Sequence, residues 1–162
     1  MTASITLTVN GDPYPLLVDE HASLLNTVRT QVGLTGAKEG CDDSECGACM
    51  MLVDGRPVNS CSYLAVQADG AEVTTVEGLT PAQGPSDLQQ AFLTCGGVQC
   101  GFCTPGMVVS ATALLAREPE PSEDTIRTAL SGNLCRCTGY DGLVKAVAEV
   151  ASARASSART PG

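Results

Sequence analysis

Ile5, Leu7 and Val9 alternate with Thr6, Thr8 and Asn10, the period of a strand with one buried face. Asn10-Gly11-Asp12 is a turn signal and Leu16-Leu17-Val18 supplies the returning strand, so residues 4–19 read as a hairpin. Ser23 stands as an N-cap before Leu24, Leu25, Val28 and Val32, which recur at helical spacing until Gly33 stops the helix. Residues 50–53 and 57–60 flank Asp54-Gly55, a second hairpin signal, and 72–76 give one more strand. The first half therefore predicts a compact sheet with one helix packed on it.

The pattern changes after residue 76. Gly78, Pro81, Gly84 and Pro85 fall close together without periodicity, the composition of a linker over 78–86. Beyond it, strand signals give way to helical ones. Residues 87–93 read as a first helix. Thr104 reads as the cap of a second, with Pro105 at its first position and an apolar stripe of Met107, Val108, Ala111, Leu114 and Leu115. Ser122, followed by Glu123 and Asp124, caps a third through Ile126 and Leu130. Asp141 can cap a fourth with Leu143, Val144, Val147 and Val150 on one face. From residue 152 the apolar face is gone, so 152–162 read as a flexible tail. The fold class predicted is α+β, with a small α+β unit over 1–77 and a helical unit over 87–151.

Two units of this size each sit near the lower limit for an adequate apolar core, which favours some form of staple. Eighteen acidic against nine basic residues give a net charge of −9, so nucleic acid and anionic membrane surfaces are poor partners. A single histidine leaves imidazole chemistry almost nothing to work with. The longest largely apolar run, 107–116, is too short to span a bilayer. Residues 1–9 alternate rather than carrying a basic n-region and an apolar core, so a cytoplasmic location is expected. Nine cysteines in that setting point to metal or redox use rather than to disulfides.

Eight of the nine fall into two sets. Cys41, Cys46, Cys49 and Cys61 have the spacing C-x4-C-x2-C with a fourth cysteine eleven residues on, that of plant-type 2Fe–2S ferredoxins. Gly40 and Gly47 allow the loop to close tightly over inorganic sulfide and to turn backbone N–H groups inward. The second set is Cys100 and Cys103, then Cys135 and Cys137 after thirty-one intervening residues. Four thiolates there can hold zinc as well as an iron–sulfur cluster, and spacing alone leaves both open. A helix N-terminus directly after Cys103 stabilises thiolate charge in either case.

The residues around these cysteines resemble a known family. Gly40-Cys41 through Cys46-Gly47-Ala48-Cys49, Asn59-Ser60-Cys61, Gln99-Cys100-Gly101-Phe102-Cys103-Thr104-Pro105-Gly106-Met107 and Gly132-Asn133-Leu134-Cys135-Arg136-Cys137-Thr138-Gly139-Tyr140 together resemble the iron–sulfur subunit of the molybdenum hydroxylases. That group includes xanthine dehydrogenase, aldehyde oxidoreductase and aerobic carbon monoxide dehydrogenase types, and the resemblance covers roughly residues 4–150. It implies a 2Fe–2S cluster at each cysteine set, in a plant-type ferredoxin-like β-grasp domain followed by a four-helix bundle. It implies partners as well: a large catalytic subunit carrying molybdopterin and molybdenum and a medium subunit carrying FAD, as a dimer of heterotrimers. Gln99 and Cys137 are implied to face the molybdopterin. On this resemblance the chain passes electrons one at a time from molybdenum through two clusters to FAD and holds no substrate pocket of its own. The substrate of such a complex, whether a purine, an aldehyde, an N-heteroaromatic or carbon monoxide, is not written in this chain.

Several residues carry open readings. Cys95 matches no ligand position and reads as a small buried thiol. Arg136 lies between two candidate ligands and suits an interface, and Tyr140 either covers the second set or simply packs. A free-standing two-cluster ferredoxin and a zinc-stapled adaptor remain the competing functions.

Overall fold

In the computed structural model, which describes residues 1–159, the alternating start forms β1 (Thr2–Val9) and β2 (Asp12–Asp19), paired antiparallel with Val9 opposite Asp12. Asn10 (φ 53°) and Gly11 (φ 91°) are both left-handed, the pair of dihedrals that lets a two-residue turn match the strand twist. β3 (Met50–Val53) and β4 (Arg56–Asn59) form the second hairpin around Asp54 and Gly55 in the same conformation. β5 (Glu72–Thr74) lies between the hairpins, parallel to β1 and antiparallel to β3, giving the sheet order β2-β1-β5-β3-β4. The sequence ran this strand on to residue 76. It ends earlier because the Thr75 N–H donates to Asn10 Oδ1 (2.9 Å) instead of continuing the ladder.

Ser23 accepts from the Asn26 N–H (3.1 Å) and starts α1 (Leu24–Thr27). The helix then widens into a π-turn over Val28–Val32 and stops at Gly33 (φ 85°). Leu24, Leu25 and Val28 pack with Ile5, Leu7, Val18, Met51 and Val73 in one buried apolar cluster. This is the predicted sheet with one helix across it.

The second half contains α2 (Asp87–Thr94), α3 (Thr104–Arg117), α4 (Glu123–Leu130) and α5 (Asp141–Arg159). α2 packs on α3 and α5, and α4 packs on α3 and α5. A separate buried cluster holds them, built on Phe92, Met107, Ile126, Leu130, Leu143 and Val147. Ser86 with Gln89, and Ser122, cap α2 and α4. At α3 the sequence reading needs correcting: Cys103 occupies the cap position and Thr104 is already helical. The Thr104 hydroxyl is buried with no hydrogen-bond partner. Asp141 likewise lies in the first turn of α5 rather than before it.

The largest departure is the expected tail. α5 continues to Arg159, so 152–159 are helical; the rest of the expected tail, 160–162, lies outside the described residues. Charge replaces the missing apolar face. Arg154 makes two bonds of 2.7 Å to the Asp87 carboxylate at the start of α2, and Arg159 reaches Glu120 at 2.9 Å. The stretch between sheet and helices has no strand or helix but is stitched down. Glu77 accepts from the Gly36 N–H (2.7 Å) and the Thr75 hydroxyl (2.6 Å), and Gln89 bonds Thr80 (2.7 Å). Among the described residues, no helix is long and apolar enough to cross a membrane.

Candidate metal centres

The loop from Cys41 to Cys49 connects the helix side of the sheet to β3, and Cys61 follows β4, so the second hairpin carries two of the four thiols to the loop. Asp42 (φ 62°), Ser44 (φ 67°) and Gly47 (φ 67°) all turn left-handed, curling the chain around its own interior. For Asp42 and Ser44 such a backbone costs about 1 kcal/mol each. A strained loop of inward amides is the type of concavity that receives anionic sulfur. The Cys46 N–H already points at Cys41 Sγ (3.4 Å). Asn59 and Ser60 brace the loop: Asn59 Nδ2 donates to the Ser44 carbonyl (2.9 Å) and the Ser60 hydroxyl to the Cys49 carbonyl (2.6 Å).

The second set is assembled from two turns. Cys100 and Cys103 precede α3, while Cys135 and Cys137 precede α5, and all four line one cavity of about 160 Å³ with Phe102, Leu134 and Arg136. Cys100 and Cys137 sulfurs stand 3.6 Å apart, and both residues are exposed. Tyr140 (φ 71°) settles its open reading: its hydroxyl accepts from the Cys135 N–H (2.8 Å) and donates to the Asn133 carbonyl (3.2 Å). It pins the turn that presents Cys135. The Cys135 sulfur accepts from the Thr138 N–H (3.5 Å) and stands 3.2 Å from the Thr138 hydroxyl.

The eight thiols stand in four pairs. Cys41 contacts Cys46, Cys49 contacts Cys61, Cys100 contacts Cys137 and Cys103 contacts Cys135. Among the described residues no three histidine, cysteine or carboxylate side chains converge on a single ion site. One tetrahedral zinc asks four sulfurs to lie about 3.8 Å from one another. A 2Fe–2S centre asks only for two thiolates per iron, and two pairs of thiols fit that donor set. In the second set each pair takes one thiol from each turn, so neither turn alone offers a pair.

Protonation fits the same picture. Burial pushes the Cys49 thiol up to about 11 and the Cys103 thiol up to about 12, with Cys61 and Cys135 thiols beside them adding to the rise. Burial also acts to raise Cys135, but hydrogen bonds from Thr138 outweigh it and bring that thiol down to about 7. Thiolates at Cys49 and Cys103 thus need a cation to hold them deprotonated, and metal uptake releases protons there.

The two sets meet directly. The Leu134 N–H donates to the Cys46 carbonyl at 2.8 Å, and Asn133 Nδ2 donates to the Gly47 carbonyl at 2.9 Å. Asn133 Oδ1 accepts from the Ser110 hydroxyl (2.6 Å) on α3, and Asn133 is 1% exposed. A Cβ on Gly47 would lie 2.2 Å from the Gly132 carbonyl, so this glycine makes room for the second set's turn as well as for its own loop. Sequence reasoning missed Ser110 and quoted Asn133 only within a motif, with no role of its own. Their signal was a hydroxyl inside the apolar stripe of α3 and a polar residue just ahead of a ligand.

Other sequence candidates stay apart from this junction. Cys95 ends α2 and faces α5, with its thiol 3.3 Å from Glu149 Oε2. Burial and that carboxylate raise its pKa. Gln99 and Arg136 are exposed.

A family model described as "[2Fe-2S] binding domain" matches residues 75–148, which include the whole second set. The chain is 48% identical to the nicotinate dehydrogenase small FeS subunit of Eubacterium barkeri, over 85% of this chain and 87% of that one. It is 47% identical to the xanthine dehydrogenase iron–sulfur-binding subunit of Escherichia coli O157:H7, over 90% and 92%. Among solved structures, a chain of quinoline 2-oxidoreductase from Pseudomonas putida 86 superposes with a TM-score of 0.92 at 44% identity, over 98% of each chain. Likeness of this extent, over nearly whole chains and with the cysteine pairs in place, makes the protein a member of the iron–sulfur subunits of the molybdenum hydroxylases, an electron-transfer subunit of an oxidoreductase.

Proposed function

We propose that this chain relays electrons one at a time from a molybdenum–molybdopterin centre on a large catalytic subunit to FAD on a medium subunit. Cys100, Cys103, Cys135 and Cys137 hold the 2Fe–2S cluster nearer molybdenum; Cys41, Cys46, Cys49 and Cys61 hold the one nearer the flavin. Each cluster, when bound, supplies a one-electron carrier. The protein supplies the thiolates, the amides that bond to sulfur and the fixed approach of one site to the other. Residues 1–77 act as a β-grasp domain, 78–86 as its connection and 87–151 as a helical-bundle domain, within a cytoplasmic dimer of heterotrimers.

The observation that carries this reading is asymmetric exposure around a direct junction. Cys100 and Cys137 open to the surface beside exposed Gln99, Phe102 and Leu134, while the Leu134 amide reaches back to Cys46. Gln99 and Cys137 are the residues assigned to the molybdopterin side. A large apolar side chain left in water beside a redox site favours a covering subunit over an isolated carrier. The substrate, of the purine, aldehyde, N-heteroaromatic or carbon monoxide class, belongs to the large subunit.

Cys103→Ser in the assembled complex tests the relay. The expected result is loss of one of two cluster EPR signals and no reduction of flavin by substrate. Unchanged steady-state flavin reduction in a variant lacking that cluster would end the relay reading. A colourless wild-type chain, with no visible absorption bleached by dithionite, would instead return the zinc adaptor.

A further inference from the structure

The relay reading leaves open how an electron crosses between the two centres, and the junction offers a bonded route. From the Cys135 sulfur the covalent path runs back along the main chain to the Leu134 N–H. It crosses one hydrogen bond of 2.8 Å to the Cys46 carbonyl and ends at the Cys46 sulfur. Among the described residues, no other backbone hydrogen bond joins the two loops. The length of that hydrogen bond depends on the residue before it. Asn133 spends its carboxamide on both sides of the junction, donating to the Gly47 carbonyl and accepting from Ser110. Its own main chain is held by the Leu130 carbonyl (3.0 Å) and the Tyr140 hydroxyl (3.2 Å).

The clearances say that this contact has one register. A Cβ at Gly106 would lie 2.2 Å from the Gly47 carbonyl and 3.0 Å from Asn133 Nδ2. With the Gly47 clearance of 2.2 Å, both walls of the junction are backbone, which cannot swing aside. Asn133 is almost wholly buried, where an unpaired amide is costly, so its two bonds are made together or lost together. A purely structural buried amide would serve anywhere along the interface. Among the described residues, this one stands beside the only backbone hydrogen bond in which a ligand-bearing turn touches a ligand residue of the other set.

We infer that the Leu134 N–H···O=C Cys46 hydrogen bond is the conduit between the two centres, and that Asn133, held by Ser110, is the positioning residue that sets it. The step moves one electron: the second centre is oxidised, the first is reduced, and no covalent bond or proton changes place. This inference rests on the relay reading. A rival route runs through Phe102, whose ring edge and the Cys46 sulfur both flank Gly40, at 3.4 and 2.8 Å from where its Cβ would stand.

The test uses the full chain carrying both clusters, given less than one electron per chain and frozen at intervals so that EPR follows the electron between the two signals. Asn133→Leu keeps the volume and adds no charge but removes both bonds of the amide; Ser110→Ala leaves the amide in place but frees its other end. The expected result is exchange slowed about tenfold or more in Asn133→Leu and less in Ser110→Ala, with iron content and both midpoint potentials unmoved. Exchange at the wild-type rate in Asn133→Leu overturns the inference. So does slowing that appears only with lost iron or a shifted potential, or slowing in Phe102→Leu alone. A wild-type chain that shows no exchange at all sinks the relay reading itself, which separates the two failures.

Discussion

The two cysteine sets reach the same pairing of thiols by opposite means. The first lies mostly in one continuous loop, with Cys49 and Cys61 buried and the left-handed residues Asp42, Ser44 and Gly47 concentrated within six positions. The second is split between two turns more than thirty residues apart, and each of its pairs spans both turns. A local loop writes its site into adjacent residues, whereas a split site exists only after α3, α4 and α5 have packed. The split site is also the open one, because turns at helix ends project beyond the bundle they start. Burial suits a centre whose surroundings come from its own chain, and exposure suits one that a partner completes.

Removing a thiol from each set probes this contrast most severely. Cys61→Ser takes a buried ligand from the hairpin and is expected to cut iron to about half and lower thermal stability, since metal binding is folding energy for a strained loop. Cys100→Ser is expected to halve iron equally but to leave the melting temperature closer to wild type, because the helical core does not need that exposed turn. Iron analysis and calorimetry on the same samples read both. Equal destabilisation by the two would erase the distinction between local and assembled sites.

Glycine substitutions sharpen the comparison on a smaller scale. Gly47→Ala combines a left-handed backbone with a Cβ 2.2 Å from the Gly132 carbonyl, for an expected loss of about 3 kcal/mol. Gly11→Ala has the backbone term alone, with nothing within 4 Å, for about 1 kcal/mol. Chemical denaturation of the two variants isolates the contribution of the junction. A Gly47→Ala as mild as Gly11→Ala would mean that the loops do not meet as closely as the geometry has them.

The smallest effect lies at the end of α5. Arg154→Ala removes a bidentate pair in which both side chains are about half exposed, so solvent screening limits the loss to about 0.5 kcal/mol at pH 7. The hydrogen bonds from Arg154 hold the Asp87 carboxyl below its ordinary value. A depressed carboxylate stabilises the fold above the unfolded pKa of about 3.9, and that contribution disappears as pH falls through the lower folded value. Wild type and Arg154→Ala should therefore draw together as pH falls below about 4 and converge in stability only beneath the lowered Asp87 value. A difference that persists there would assign the effect to packing of the arginine stem.

Much of the molecule was legible because short-range rules decide it. The alternation at Ile5, Leu7 and Val9 wrote β1, the dipeptides Asn10-Gly11 and Asp54-Gly55 wrote both hairpin turns, and Ser23 and Ser122 start two helices. Where local chemistry was ambiguous, the reading slipped. Thr104 has the side chain of a cap, yet Cys103 takes that position because the turn bearing the thiols sets where the helix begins. Residues 152–159 have no apolar face, yet they stay helical because Arg154 and Arg159 find carboxylates on other elements, partners that no local pattern announces.

The sequence by itself determined the two cysteine sets, the ferredoxin spacing of the first and the change from sheet to helices between them. Bonding geometry fixes such spacings along the chain, so they can be read from it. Only the tertiary structure decided which thiols pair in the second set, that Cys100 and Cys137 face outward, and that Leu134 touches Cys46 through the clamp of Asn133 and Ser110. Those are relations between residues far apart in sequence, set by how two separate apolar cores dock. No periodicity or propensity along the chain carries that information.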